Sequence, residues 1–500
     1  MLLSLANRMA IYGRARGLVP LCVGAAAYLF FLFTGDSLLQ DSDSFWQIKI
    51  GQWVLDHHAV PQTDFYSFTR FGEPWISSSW LSQVLYAVSY AEWGWAGPVI
   101  LASLAIAAAA AIFVHLLEPH LELPRAVLLV MAALLLSIHH LLARPHILAL
   151  PVMVAWVGAM MAASDRCRAP SFLLLPVIAL WANLHGGFVL GLALIGPVAL
   201  EAVWSAERDH RVGLVLHWAL FGVCAVVASC FTPYGWNTLL GAAKILNLGE
   251  LLSLISEWRP ADFSSFGAFE AALLALIGFA FYRGVVLSPP RILLLLGFIW
   301  MALTHVRSIE AFAFLVPLVL AKPLAGHGET TETADSRGIE FPPISYITAL
   351  AALTIVVAVL ASTSIYMGHH RFIFTERQTP VAAVDLLKQR EAKRVFNAYE
   401  FGGYLISRDV PVFVDGRAEL YGEKFVMDFF NAVEARKVDT LLGLLDRYKI
   451  DATLLVATAP AAKVLDHVQG WKRLYADGVA VIHVRTNPAG FAAPAPETAH

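Results

Sequence analysis

Eleven apolar runs constrain this chain more than any other feature. They cover residues 17–34, 95–117, 125–143, 147–163, 171–184, 187–205, 213–231, 265–283, 290–304, 307–322 and 344–366. A spanning helix needs about 20 mainly apolar residues. In lipid, only helices and closed barrels satisfy every backbone polar group. The runs therefore predict a polytopic α-helical membrane protein of about 11 transmembrane helices. Composition agrees, with 58% of the residues hydrophobic and 15% charged, where soluble domains carry about 25% charged residues. A net charge of -3 offers no basic excess for nucleic acid.

Positive charge orients the spans. With the N-terminus inside, the cytoplasmic loops hold Arg125, Arg166, Arg168, Arg208, Arg211, Arg283, Arg291, Lys322 and Arg337. The short outer connections hold Arg144, Lys244, Arg259 and Arg307. The first run follows Arg8, Arg14 and Arg16, and no small-residue cleavage site follows it, so it reads as an uncleaved anchor. Four cysteines make no disulfide framework. The absence of an Asn-x-Ser/Thr sequon disfavours a eukaryotic secretory lumen.

Residues 1–322 read as a membrane module with a first outer loop at 35–94, followed by a polar cytoplasmic linker at 323–343 and a last span at 344–366. Residues 367–487 have the composition of a soluble α/β domain outside the membrane, and 488–500 that of a disordered tail. Val412 to Val414 and Ala452 to Val456 read as strands, and Asp477-Gly478 as the turn of a hairpin. In the outer loop, Ser44-x-x-Gln47 is a capping-box pattern that starts a helix through Trp46, Ile50 and Trp53. A second amphipathic stretch runs from Ser78 to Tyr90.

The polar motifs between the runs fall on one predicted side: Asp41-Ser-Asp43, Arg144-Pro-His146, Asn183-Leu-His185-Gly-Gly187, Thr232-Pro-Tyr-Gly-Trp236, Glu257-Trp-Arg259-Pro260 and His305-Val-Arg307-Ser308. Charged groups are costly near a bilayer, so their collection at helix ends points to a site. Asp41 and Asp43, set before the helix, can face one cavity and deprotonate a hydroxyl, hold a divalent cation, or both. Otherwise Asp43 helps cap the helix and Asp41 is solvated. Arg144, Arg259 and Arg307 suit the phosphate of a lipid head group, or snorkel to the interface. His146, in the same motif as Arg144, is a further candidate for holding the donor phosphate. His185 can bind metal, hold phosphate or act as an acid, or serve as a helix-end hydrogen-bonder; with His305 and Glu257 it is a candidate for the acceptor cavity. Glu257 either ligates a metal or pairs with Arg259. Thr232 to Trp236 reads as a shaped turn. In the C-terminal segment, Phe401-Gly-Gly-Tyr404 and Val414-Asp-Gly-Arg417-Ala-Glu419 concentrate glycine and paired charge beside predicted strand ends. Tyr404, Asp415 and Arg417 there either guide an acceptor, or Asp415 and Arg417 form an internal salt bridge while the glycines shape turns.

An N-terminal span, an outer loop opening with paired acids, two interfacial helices and a polytopic body together resemble the GT-C glycosyltransferases. The stretch Asp41-Ser-Asp-Ser-Phe-Trp-Gln-Ile-Lys-Ile-Gly51, then Val60-Pro-Gln-Thr-Asp64 and Trp75, is similar to a little-characterised bacterial, family-39-like branch of that group. That resemblance covers nearly the whole chain, including the Arg-Pro-His, Asn-Leu-His-Gly-Gly, Phe-Gly-Gly-Tyr404 and Val-Asp-Gly-Arg417 motifs. It implies inverting sugar transfer from a polyprenyl-phosphate-linked donor to a glycan, lipid or protein, on the outer face of a bacterial inner membrane. One acid of the Asp41/Asp43 pair would be the base. The other would position the acceptor or a divalent cation, Mg or Mn, for which Asp43 and Glu257 are the candidate ligands. Gln47 stands where the branch often carries a histidine, which weakens a metal role at that position. Two other readings compete: a transporter, which would show broken helices and internal repeats, and a noncatalytic scaffold for envelope-glycan export. The apolar runs are largely clean, with polar groups at their ends, which favours the enzyme.

Overall fold

A computed structural model describes residues 17–246, 256–325 and 346–486. The linker expected at 323–343 lies outside these residues apart from 323–325, and the tail expected at 488–500 lies wholly outside them. The chain divides into two compact units. One comprises 17–38, 78–243, 256–325 and 346–373; the other comprises 39–77, 244–246 and 374–486. The first outer loop is therefore split: its 39–77 stretch packs with the C-terminal residues, while its second helix, Trp80–Trp93, belongs to the helical unit.

In the helical unit, six helices among the described residues are long and apolar enough to cross a membrane: Ala96–Leu117, Pro145–Asp165, Phe188–Ser205, Arg208–Ser229, Ser308–Ala325 and Tyr346–His369. Four shorter apolar helices, Val19–Phe33, Leu123–Ser137, Phe172–Leu184 and Pro289–Thr304, occupy further predicted runs, and Ala268–Arg283 occupies the run at 265–283. Among the described residues, six helices meet the spanning criterion by length and composition. Proline marks several starts. Pro145 opens its helix after an extended Arg144, and Ser288 caps Pro289–Thr304 by accepting from the Arg291 N–H at 3.4 Å. A missing N–H costs nothing in a first turn, where it has no intrahelical partner.

Pro145–Asp165 is the buried centre of this unit. Trp156 is fully buried, stacks on Phe221 at 5.7 Å and donates its indole N–H to the Gly191 carbonyl at 3.0 Å. A side chain at 191 would collide with the Trp181 ring, so glycine is needed for that approach. Arg208–Ser229 instead exposes Val212, Leu216, Leu220, Val223 and Val227. Their 4-4-3-4 spacing makes one helical stripe, as expected of a face turned to lipid.

A buried polar cluster closes one end of these helices. The Arg291 guanidinium donates to Glu201 at 3.0 Å, to Asp165 at 2.6 Å and to the Val319 carbonyl at 3.2 Å. Lys322 reaches the Asp165 carbonyl, and Ser288 reaches Glu201. Asp165 ends the helix that Arg144 begins. Twenty-one residues separate the two ends by about 30 Å at 1.5 Å per residue.

The second unit is built on a four-stranded sheet in the order β1-β2-β4-β3, with β1 Val395–Asn397, β2 Ala452–Val456, β3 Trp471–Ala476 and β4 Ala480–Arg485. β1 and β2 are parallel, and β4 runs antiparallel to both of its neighbours. The hairpin expected at Asp477-Gly478 is present: the Asp477 carboxylate accepts from the N–H groups of Val479 and Ala480, each at 2.7 Å. The strand expected at Val412 to Val414 is reduced to single bridges from Val412 to Val395 and to Ser67. The buried Asn397 side chain intervenes there, accepting from the Phe413 N–H and donating to the Val414 carbonyl, each at 2.8 Å. Side-chain bonds thus replace a ladder and release the backbone to turn into Asp415.

Candidate functional sites

In the helical unit, six of the expected residues, Arg144, His146, His185, Glu257, His305 and Arg307, meet at the end opposite Arg291. Two connections zip together there: the Arg307 N–H donates to the Glu257 carbonyl and the Val306 N–H to the Arg259 carbonyl, each at 2.9 Å. Glu257 forms an ion pair with Arg144, which stands at the N-terminus of the Pro145–Asp165 helix. The expected alternative partner, Arg259, lends its backbone to the zipper and has an exposed side chain. Arg144, and more weakly Arg307, holds the Glu257 carboxyl down at about 2 against the effect of burial. The Arg307 guanidinium lies 4.3 Å over the Trp258 ring, a cation–π contact that fixes its plane. His305 meets the same indole edge-on at 5.4 Å and contacts the Thr304 hydroxyl at 3.0 Å.

Imidazoles complete the cluster. His146 Nε2 donates to the His140 carbonyl at 2.7 Å and lies 4.0 Å from Glu310. The His185 ring is 6.2 Å from that of His146. His185 Nδ1 accepts from the Gly187 N–H at 3.1 Å, which leaves the proton of the neutral ring on Nε2. Burial first, then Arg307, His146 and Arg144, push its pKa well below the usual range, so the ring stays neutral. Asn183 anchors the motif by accepting from the Trp80 indole at 2.8 Å and donating to the Phe231 carbonyl at 2.9 Å. Thr232 to Trp236 forms the expected turn, with Gly235 at φ 57°.

In the second unit, Asp41 and Asp43 open the Asp43–His57 helix, both half-buried. The expected cap is corrected: Ser44 lies inside the first turn, and Asp41 Oδ1 accepts from the Asp43 N–H at 2.9 Å. An acid just before the helix does what the serine was expected to do, and a carboxylate is favoured at the positive end of the helix dipole. The Trp46 indole donates to Asp43 Oδ1 at 2.9 Å. Between the two acids, Ser42 is buried and tied to C-terminal residues, its N–H donating to Gln378 at 2.5 Å and its hydroxyl to the Glu400 carbonyl at 2.6 Å.

Both C-terminal motifs pack on this start. Gly403 sits on the Ser42 carbonyl, Gly402 on the backbone of Val414 and Asp415, and Gly416 on the Asp43 carboxylate. The glycines were expected to shape turns. None of the three has positive φ, so what they supply is room for close approach. Tyr404 is buried, packs edge-on to Phe45 at 5.2 Å and accepts from Arg408 at 2.6 Å. Asp415 and Arg417 form the internal salt bridge, bidentate at 2.8 and 2.6 Å. Arg417 also donates to Asp64 at 2.6 Å and lies 4.9 Å over Trp75, whose indole donates to Glu419 at 3.0 Å. Tyr421 donates to Asp415 at 2.7 Å. The side chains of Asp64, Asp415 and Arg417 are completely buried. Burial works against ionisation of Asp415, but Arg417 outweighs it and holds the pKa below the usual carboxylate range.

Sequence reasoning assigned no role to Asp64, Glu419 or Tyr421; Asp64 and Glu419 have partners 353 and 344 residues away, whereas Tyr421 bonds to Asp415 six residues before it. Glu310 did carry a signal, as a carboxylate inside the apolar run 307–322. The candidate metal ligands Asp43 and Glu257 belong to different units. Among the described residues no three His, Cys, Asp or Glu side chains converge as a metal site.

No family model matches the sequence, and no curated protein does. Solved structures do. The Archaeoglobus fulgidus oligosaccharyltransferase tethered to an acceptor peptide containing the NVT sequon superposes with a TM-score of 0.56 at 12% identity, over 88% of this chain and 69% of that one. The apo form of the same protein gives 0.54 at 11% identity over the same shares. The fold is of the GT-C type. ArnT from Cupriavidus metallidurans in the apo state is also similar, with a TM-score of 0.44 and 13% identity over 94% of this chain and 98% of that one.

Proposed function

We propose that this chain is a membrane glycosyltransferase that moves a sugar from a polyprenyl-phosphate-linked donor to an acceptor glycan, lipid or protein. The observation that carries the reading is the arginine–imidazole cluster collected from three interhelical connections at one end of the GT-C helices. Arg144 and Arg307 offer planar N–H forks, and the neutral His185 ring adds an Nε2–H donor, a set suited to a lipid phosphate. Glu257 keeps Arg144 in place. In the transfer, Asp41 or Asp43 takes the proton of the acceptor hydroxyl as its oxygen bonds to the sugar's anomeric carbon. The bond from that carbon to the phosphate oxygen breaks, with inversion, and the lipid phosphate leaves with the electron pair. The reaction belongs on the outer face of a bacterial inner membrane, with residues 367–487 in the periplasm.

Mass spectrometry of lipids that co-purify with the detergent-solubilised protein tests the donor. A polyprenyl phosphate or its sugar conjugate is expected in the native protein and depleted in Arg144→Gln/Arg307→Gln. Equal recovery from both would defeat the phosphate assignment. Asp43→Asn tests the base, with an expected loss of about 10²–10⁴ in transfer rate if Asp43 is the proton acceptor.

A further inference from the structure

We infer that Trp46 and Gly416 are positioning residues for the Asp43 carboxylate, which makes the Val414-Asp-Gly-Arg417 motif part of the catalytic apparatus without touching substrate. The inference rests on the proposed function. Two contacts aim Asp43. The Trp46 indole N–H, one helical turn on, fixes Oδ1 at 2.9 Å. On another side, Gly416 leaves no room for a methyl group, because an added Cβ would overlap the Asp43 carboxylate.

Both contacts are themselves braced. Trp46 meets Trp75 edge-on at 6.3 Å. Trp75 is held by Arg417 over its ring at 4.9 Å and by Glu419 on its N–H at 3.0 Å. Gly416 lies between the two buried partners of the Asp415–Arg417 pair, so its backbone is set by that pair. The ion network therefore meets Asp43 through one glycine and, by way of Trp75, through one indole.

The three glycines separate positioning from folding. A methyl at Gly402 or Gly403 would strike backbone, the Val414 carbonyl at 2.6 Å in one case and the Ser42 carbonyl in the other. A methyl at Gly416 strikes the far end of a side chain, which can rotate away. Gly416→Ala is thus expected to move the carboxylate while sparing the fold. A misplacement of about 1 Å costs on the order of 10²-fold in rate.

The test uses full-length protein in detergent. Its donor probe is the radiolabelled polyprenyl-phosphate-sugar fraction extracted from membranes of the producing cells, and its acceptor is membranes from cells lacking the gene. For Gly416→Ala the maximal rate should fall about 10²-fold, with unchanged half-saturation by donor and an unchanged melting temperature. Trp46→Phe should lower the same rate about 10-fold, as one hydrogen bond to a charged group is lost. Gly403→Ala should lower the melting temperature instead. Wild-type maximal rates in Gly416→Ala and Trp46→Phe, or losses that follow melting temperature, would overturn the inference. Asp43→Asn separates the two claims: a wild-type rate there defeats Asp43 as the base and the positioning with it, whereas an inactive Asp43→Asn beside fully active Gly416→Ala and Trp46→Phe defeats only the positioning.

Discussion

Arg417→Leu gives the sharpest stability test of the second unit. The substitution removes a guanidinium bonded to Asp415 at 2.8 and 2.6 Å and to Asp64 at 2.6 Å, in a place where all three side chains are sealed from solvent. Breaking such a pair from one side costs about 3–5 kcal/mol, since it leaves buried charge without its partner. The cost should lie toward the lower end. Asp415 keeps the Tyr421 hydroxyl at 2.7 Å, and Asp64 keeps the Ser67 hydroxyl at 2.6 Å and its N–H at 3.0 Å. The pH dependence follows from Asp415. In the native protein its depressed pKa contributes stability above the unfolded value of about 3.9 and loses it only as pH falls below that. Native stability should therefore change little through this group between pH 7 and 5. Without Arg417, burial prevails and raises the Asp415 pKa above the unfolded value. The variant then gains relative stability as pH falls through the raised pKa, and its deficit should shrink between pH 7 and 5. Differential scanning fluorimetry of the full chain should show melting lowered by roughly 6–12 °C at pH 7, taking about 3 kcal/mol and 2–4 °C per kcal/mol. A shift under about 2 °C, or one of equal size at pH 5 and 7, would refute the account.

Arg291→Met should destabilise the helical unit by about 3–5 kcal/mol, because Asp165 and Glu201 would lose their shared partner. Replacing all three by apolar residues should recover much of the loss in the same melting assay. Arg307→Lys should raise the donor concentration needed for half-maximal transfer about tenfold, since an ammonium keeps the charge but not the planar fork stacked on Trp258; an unchanged donor titration would count against phosphate binding there. The orientation expected from the arginines places Cys167 inside and Cys230 outside. In single-cysteine variants of intact cells, an impermeant maleimide should label the second and spare the first.

The helices were legible because lipid leaves a spanning backbone few options, and because proline is favoured in a first turn, where Pro145 and Pro289 stand. The acid pair was legible as chemistry but not as geometry. A serine followed by glutamine three residues on looks like a cap, yet Asp41 reaches the first free N–H and the helix begins earlier. The Val412 strand failed for a different reason. Its β-branched run is what a ladder favours, but one buried amide, Asn397, diverts the hydrogen bonds. Least legible was the division of the outer loop. Arg417 and Asp64 are 353 residues apart in sequence, and no local pattern announces that a carboxylate in the loop completes an arginine near the C-terminus.

The glycine-rich motifs show how a structural and a catalytic reading of the same residues can be told apart. An Asp-Gly-Arg sequence satisfies either one, because glycine serves turns and close approach equally well. Backbone angles remove the first option here, and what each missing Cβ would strike then decides among the rest. Where the obstacle is backbone, as at Gly402 and Gly403, the residue is needed for folding. At Gly416 the obstacle is the Asp43 carboxylate, which also accepts from the Trp46 indole. A protein that needed only the Asp415–Arg417 salt bridge could accept alanine at that position. If Asp43 is the base, alanine there leaves the bridge intact and costs turnover.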